Sequence, residues 1–408
     1  MALDHLPIEL SSRLNNVKPS PTLAIAQQAM ALQAAGVKIL NLSTGEPDFD
    51  TPDFIKEAAI TAIRQGQTKY TAVDGTPALK SAIAAKFKRE NGLVYQNNQI
   101  SVGTGGKQII YNAFMATINP GDQVIIPSPY WVSYPDMVRL AEGVPVFLET
   151  NSFKHFKITP QQLDQAITSK TKWLILNSPC NPSGTLYNRQ ELKEIADILL
   201  TKKNRHVHVL SDDIYEHLIY NDQPFLTMAQ IAPDLYHRTL TMNGVSKTYC
   251  MTGWRIGYAG GQTALIQAMA MIQSQSTSNP SSISQAAAVA ALNGPQDFIR
   301  PFRQTFKKRR DFVVDNINKT PGLSCLTPDG AFYVYVSCQG LIGKKFKGNY
   351  LIRNDGDLAS LFLAHARVAV VPGAAFGLSP YFRISYATSD ATLAEACEKI
   401  TQFCSQCE

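Results

Sequence analysis

Residues 173–216 read WLILNSPCNPSGTLYNRQELKEIADILLTKKNRHVHVLSDDIYE, and the reading of this stretch decides the fold. A short apolar run, Trp173–Leu176, stops at a turn-forming cluster that ends in Asn181-Pro-Ser-Gly184. A helix-length segment, Gln190–Lys203, follows. A second apolar run, Val207–Leu210, then stops at Ser211-Asp212-Asp213. Strand, helix and strand in succession predict parallel strands joined by a crossover. The alternation extends outward from about residue 99, with further strands expected at Ile100–Val102, Gln123–Ile126, Val144–Leu148, Arg238–Met242 and Arg255–Tyr258. The expected fold class is therefore α/β, a mostly parallel sheet flanked by helices. Such sheets bind ligands beyond the carboxyl ends of their strands, so the residues just after each run carry the function.

On either side the pattern changes. Thr76-Pro77 is a capping residue followed by proline at the first helical position, and Leu79, Ile83 and Phe87 form one apolar stripe that stops at Asn91-Gly92. After about residue 300 an amphipathic helix, Pro301–Asn318, leads to strands at Ala331–Val336, Arg367–Val371 and Phe382–Tyr386 and a closing helix, which predicts a second, smaller α+β domain. At 408 residues, 45% hydrophobic and 17% charged, the chain is that of a compact protein without long disorder. The net charge of +6 is spread along the chain, and its densest run, Lys307-Lys308-Arg309-Arg310, reads as a solvated helical face. With no aromatic platform beside that run, no nucleic-acid partner is expected. The seven cysteines are odd in number and irregularly spaced, which fits a reducing compartment, and Cys404-x-x-Cys407 has no second pair. No run approaches the ~18 apolar residues of a membrane span, and the opening MALDHLPIEL has no signal-peptide pattern. A cytoplasmic location is expected.

Four strand ends carry unusual clusters. Ile100–Val102 runs into Gly103-Thr-Gly105-Gly106-Lys107, where glycines at a helix start let backbone N–H groups approach an anion. It is neither a P-loop nor a full dinucleotide fingerprint. The first run of the opening stretch ends near Asn181 and the second at Asp212 and Tyr215. Arg238–Met242 ends at Asn243-Gly244-Val-Ser246-Lys247, with Arg255 eight residues beyond the lysine. Each cluster alone has a plain structural explanation as a turn, a loop, a surface lysine or a salt-bridge partner. Asn, Asp with Tyr, Lys and Arg arriving together at the ends of one sheet are what a pyridoxal cofactor requires.

With Lys18-Pro-Ser, Gly45-Glu-Pro-Asp-Phe, Lys69-Tyr-Thr, Ser128-Pro-Tyr-Trp131, Met251-Thr-Gly-Trp-Arg255, Gly330-Ala-Phe-Tyr and Phe382-Arg383-Ile-Ser-Tyr added, the chain resembles, essentially end to end, the fold-type I class I aminotransferases that use pyridoxal 5'-phosphate. The likeness is to their bacterial aspartate branch, and to an alphaproteobacterial type of which some members also accept prephenate. The resemblance implies an N-terminal arm with part of the small domain over 1–48, a large cofactor-binding domain over 49–300, and a small C-terminal domain over 301–408. It implies that Lys247 forms the Schiff base with the cofactor and carries the proton at the substrate α-carbon. Asp212 pairs with the pyridine nitrogen, so that the ring can act as an electron sink. Tyr215 and Asn181 bond the ring hydroxyl, Trp131 stacks on its face, and Arg255, Ser246 and the backbone at Gly105-Gly106 hold the phosphate. Tyr70 reaches the phosphate from a partner subunit, so a homodimer with shared sites is implied. Arg383 takes the substrate α-carboxylate, helped by Gly45. For a distal carboxylate no arginine is found in Ser274–Ser284, and Lys107 and Lys18 are the candidates. Gly244 stands where some relatives carry a phosphate-binding serine, which leaves Ser246 as the hydroxyl. The implied substrates are an amino acid, L-aspartate foremost, and a 2-oxo acid such as 2-oxoglutarate or prephenate.

Three other readings compete. An aminotransferase of aromatic amino acids, a β-lyase or a decarboxylase-like enzyme would keep the same fold and cofactor residues. A metal-dependent hydrolase could use His206, His208 and Asp212, but a strand rise of ~3.3 Å per residue puts His206 ~20 Å from Asp212. A non-catalytic cofactor-binding module would have no need of Lys247, Asp212, Tyr215 and Arg383 together.

Overall fold

The computed structural model describes residues 8–17, 21–221 and 223–408. Strand β1 (Leu40–Asn41) comes first. The next seven, β2 (Ile100–Gly103), β3 (Gln123–Ser128), β4 (Val144–Glu149), β5 (Thr171–Asn177), β6 (His208–Asp212), β7 (Thr239–Gly244) and β8 (Gly257–Gly260), form one sheet in the order β2-β8-β7-β6-β5-β3-β4. The pairs from β4 to β7 are parallel. β8 lies antiparallel between β2 and β7 and brings its beginning to the edge where the others end. β5, β6 and β7 are buried along nearly their whole length, which accounts for the unbroken apolar run Trp173–Leu176 in β5.

Helices Gly106–Thr117, Arg189–Leu200 and Thr263–Ser274 cover the sheet, with apolar clusters on both sides of it. The helix Pro77–Lys86 is capped as its sequence predicts: Thr76 accepts from the Leu79 N–H at 3.3 Å, Leu79, Ile83 and Phe87 are fully buried, and Gly92 ends the run at φ +67°. The later strands are β9 (Ser324–Cys325), β10 (Tyr333–Ser337), the hairpin β11 (Lys345–Phe346) and β12 (Tyr350–Leu351), β13 (Val368–Ala369), β14 (Val371–Pro372) and β15 (Tyr381–Ser385), and a further apolar cluster packs around β10, β11, β13 and β15. β1 pairs in parallel with β13, which joins residues 40–41 to this part of the molecule.

Three strand starts differ from the sequence expectation for one reason. Arg255, Ala331 and Arg367 adopt φ of +56°, +60° and +59°, a left-handed turn that sequence patterns do not reveal in non-glycine residues. Strands β8, β10 and β13 therefore begin after them. The basic run on the helix Ile299–Lys319 also departs from expectation. Lys307 and Lys308 are exposed, but Arg309 and Arg310 are buried. Arg309 forks onto Asp48 at 2.7 and 2.9 Å and reaches Asp390 at 2.9 Å, while Arg310 donates to the Pro328 carbonyl and lies over Tyr220. Arg309 thus fastens the segment after Gly45 to the long helix. All seven cysteines are free thiols, and no helix of the described residues is long and apolar enough to cross a membrane.

Candidate active site

The strand ends converge on a cavity of about 360 Å³. Asn177 and Asp212 end β5 and β6 side by side in register, and Asp212 faces Met242 of β7. The Asp213 N–H donates to the Met242 carbonyl at 2.9 Å, which holds the turn after β6 against β7. β7 then delivers Ser246 and Lys247 to the same cavity.

Lys247 is half-buried, and its Nζ donates to the Gly45 carbonyl at 2.6 Å. Burial pushes its pKa down to about 8, helped by the cations Arg383 and Arg255 and opposed by Glu46 and Asp212. Asp212 is buried. It accepts from the Tyr134 hydroxyl at 2.5 Å and from the Ile214 N–H at 3.3 Å. Burial raises its carboxyl to about 6, while these two donors and Lys247 hold it down. Tyr215 shares a 2.9 Å hydrogen bond with the hydroxyl of Tyr333, and burial raises both phenols.

Arg383 is 2% exposed. Its guanidinium donates to Asn181 Oδ1 at 2.9 Å and to the Ser43 carbonyl at 2.5 Å, and it lies over the ring of Tyr333. Nε is buried without a partner, and among the described residues no carboxylate pairs with it. An unpaired buried guanidinium opening on a cavity marks the place of an anionic ligand.

At the other end, the helix Gly106–Thr117 points its first N–H groups toward the cavity from Gly105, whose φ of +83° suits glycine. A side chain on Gly105 would run into the guanidinium of Arg255, and one on Gly257 would run into the backbone of Gly105 and Gly106. These close approaches build a phosphate-sized cradle from backbone donors and one arginine. Gly244 is tightly packed: a Cβ there would lie 3.1 Å from the Ile256 carbonyl and 3.0 Å from Ile214, so a serine would need these neighbours to give by a few tenths of an ångström. Lys107 stands at the rim, 5.1 Å from the Trp131 ring centre, where partial desolvation of its ammonium and the nearby Arg255 lower its pKa.

Of the residues singled out from sequence, Gly45, Gly106, Lys107, Trp131 and Asn181 line the cavity together with Asp212, Tyr215, Ser246, Lys247, Arg255 and Arg383. Gly105 stands behind Arg255. Tyr70 is 93% exposed and lies outside the cavity of its own chain. Lys18 lies outside the described residues. Tyr134 and Tyr333 are the additions: Tyr333 belongs to a motif with no assigned role, and Tyr134 meets Asp212 across 78 residues of chain. The histidine–aspartate metal reading has no support, since His206 bonds the Thr168 carbonyl and His208 packs on Trp173, both remote from Asp212 along β6. Glu90, Glu216 and His217 do lie within metal-binding distance of one another. The cation among them is the ammonium of Lys86, which sits on Glu216 and 3.5 Å from Glu90.

The family model for "Aminotransferase class I and II" matches residues 37–400. The chain is 58% identical to the aspartate/prephenate aminotransferase of Cereibacter sphaeroides, over 97% of this chain and 98% of that one. It is 56% identical to the probable aspartate/prephenate aminotransferase of Rickettsia felis, over 97% and 96%. Among solved structures, the aspartate aminotransferase of Rhizobium meliloti superposes with a TM-score of 0.95 at 51% identity, over 98% of this chain and all of that one. The Thermus thermophilus aspartate aminotransferase with maleate gives 0.90 at 41%, over 97% and 100%.

Proposed function

Because the chain belongs to the class I and II aminotransferases, we propose that it moves the amino group of L-aspartate to a 2-oxo acid, with 2-oxoglutarate and prephenate as the acceptors to test. The cofactor of this reading is pyridoxal 5'-phosphate. The residues present fit it: the cradle at Gly105, Gly106 and Arg255 suits a dianionic phosphate, with Ser246 as the hydroxyl, and the buried carboxylate of Asp212 suits a ring N–H. Lys247 would be its attachment point, Trp131 and Lys107 would flank it, and Asn181 and Tyr215 would be the partners for its ring hydroxyl.

When bound, the cofactor supplies an electron sink for the pair left at the substrate α-carbon. The chain's own residues do the rest. Arg383 binds the α-carboxylate, with Asn181 and the Gly45 backbone beside it. Lys247 Nζ takes the α-proton and returns a proton, a task suited to an amine whose pKa lies near neutrality. Asp212, steadied by Tyr134, keeps a positive charge on its partner favourable. Lys107 is the candidate for the distal carboxylate, and Lys18 is the second. Tyr70, exposed here, is assigned to the site of a partner subunit in a homodimer. The seven free thiols support a cytoplasmic enzyme. The proposed division is an arm over 1–48, a large domain over 49–300 and a small domain over 301–408, and the pairing of β1 with β13 supports counting part of the arm with the small domain.

One observation carries the proposal: buried Arg383 has no carboxylate partner among the described residues and opens on the cavity that also holds Lys247 and Asp212. The test is the absorbance of the purified protein. A visible band that disappears with L-aspartate and returns with 2-oxoglutarate or prephenate is expected. A band unmoved by aspartate but moved by another amino acid would shift the substrate assignment, and no band after incubation with the cofactor would sink the proposal.

A further inference from the structure

Behind the cavity lies a buried polar network that the reaction, as derived above, does not use. Lys86, at the end of the helix Pro77–Lys86, is fully buried. Its ammonium sits on Glu216 Oε1 and donates to Asn91 Oδ1 at 2.9 Å. Glu216 also accepts from Asn243 Nδ2 at 2.7 Å and from Asn91 Nδ2 at 3.1 Å. Beside it, His217 Nε2 lies 2.9 Å from Glu90 Oε2 and Nδ1 lies 3.2 Å from Thr248 Oγ1. With Nε2–H donating to the carboxylate, the ring accepts the Thr248 hydroxyl at Nδ1.

The sequence positions give this network its meaning. Glu216 and His217 directly follow Tyr215, and Thr248 directly follows Lys247. Asn243 sits on β7, four residues before that lysine. Tyr215 and Lys247 therefore each have a directly adjacent residue fixed in the network. Taking a lysine and a glutamate out of water costs about as much as their attraction returns, so stability alone is a poor reason for the pair. Fixing two short segments against each other is a better one, because a displacement of about 1 Å in a reacting group can cost ~100-fold in rate.

We propose that Glu216, held by Lys86, and His217, through Thr248, are positioning residues that set Tyr215 and Lys247 in register with each other. This deepens the reading of Lys247 as the cofactor lysine and rests on it. If that reading fails, the unaltered protein carries no visible band, a result separate from anything the variants show.

The experiment compares Thr248→Val, which replaces the hydroxyl by a methyl of similar size, with Thr248→Ser, which keeps it, both as holoenzymes corrected for cofactor content. For Thr248→Val, kcat is expected to fall about tenfold with KM for L-aspartate within about twofold, an effect on geometry and not on binding. The circular dichroism of the cofactor's visible band should change shape as well, and Thr248→Ser should restore both. The double variant Lys86→Met/Glu216→Gln, neutral at both positions, is the second arm and should show the same split between kcat and KM. Unchanged kcat and dichroism in variants that fold, with or without a lower Tm, would overturn the proposal. So would a loss in Thr248→Val that Thr248→Ser does not rescue.

Discussion

Lys247 and Arg383 face the same cavity, and burial acts on them differently. The lysine can shed its proton and the arginine cannot, so desolvation turns Lys247 into a base while leaving Arg383 a fixed cation. Reductive methylation of the cofactor-free protein, mapped to Lys247 by mass spectrometry, should therefore rise with a midpoint near pH 8, whereas a midpoint near the ordinary 10.5 would refute the buried environment. Arg383→Gln should chiefly raise KM for L-aspartate. Truncating one partner of a buried hydrogen-bonded charge pair costs roughly 2–5 kcal/mol, so kcat/KM should fall by about 30-fold or more. A KM equal to that of the unaltered enzyme would place the carboxylate elsewhere.

At the scale of elements, the anion cradle depends on glycines that bring β8 and the helix Gly106–Thr117 into contact. Gly105→Ala would add a Cβ at a φ of +83° and push against Arg255. Cofactor affinity, measured by equilibrium dialysis, should drop at least several-fold, while L-aspartate KM at saturating cofactor should change little. Elements were also where the sequence was most and least legible. The run Trp173–Leu176 declared itself by continuous apolar composition, because a buried parallel strand has no polar face to interrupt the pattern, while those ending at Leu210 and Met242 carry a histidine or threonines between their apolar residues. Lys247 and Asp212 stood out because they lie at or just beyond strand ends, and Arg383 through the resemblance carried by its motif. Tyr134 was not, since its bond to Asp212 spans 78 positions with no local pattern. Neither was the burial of Arg309 and Arg310, which looked like the cations of a wet helical face and instead meet Asp48, Asp390 and the Pro328 carbonyl. The left-handed turns at Arg255, Ala331 and Arg367 left no trace, because no glycine marks them.

The molecule as a whole carries buried acids that make its stability depend on pH. Burial raises Asp213 to about 8 from the usual 3.8, and Asp212 to about 6. A carboxyl raised on folding contributes stability that is fully present below about 3.8 and is lost as pH rises through its folded value. For Asp213 the loss should extend to about pH 8. Asp213→Asn has no proton to lose. Its Tm relative to the unaltered, cofactor-free protein should therefore climb with pH across that window and level off above it. A Tm difference independent of pH would mean that Asp213 is not the titrating group.

The placement of β8 between β2 and β7 also has a consequence for the order of assembly. β2 has β8 as its sheet neighbour, so a strand made near residue 100 waits for one made near residue 260 before it is paired. Closing a loop of that span is entropically costly and slow. Until the ribosome has released β8, the glycine turn at Gly105 has neither Arg255 nor the backbone of Gly257 against it. A nascent chain stalled before residue 255 should therefore hold the strands that carry Asn177 and Asp212 yet be unable to retain a phosphate ester.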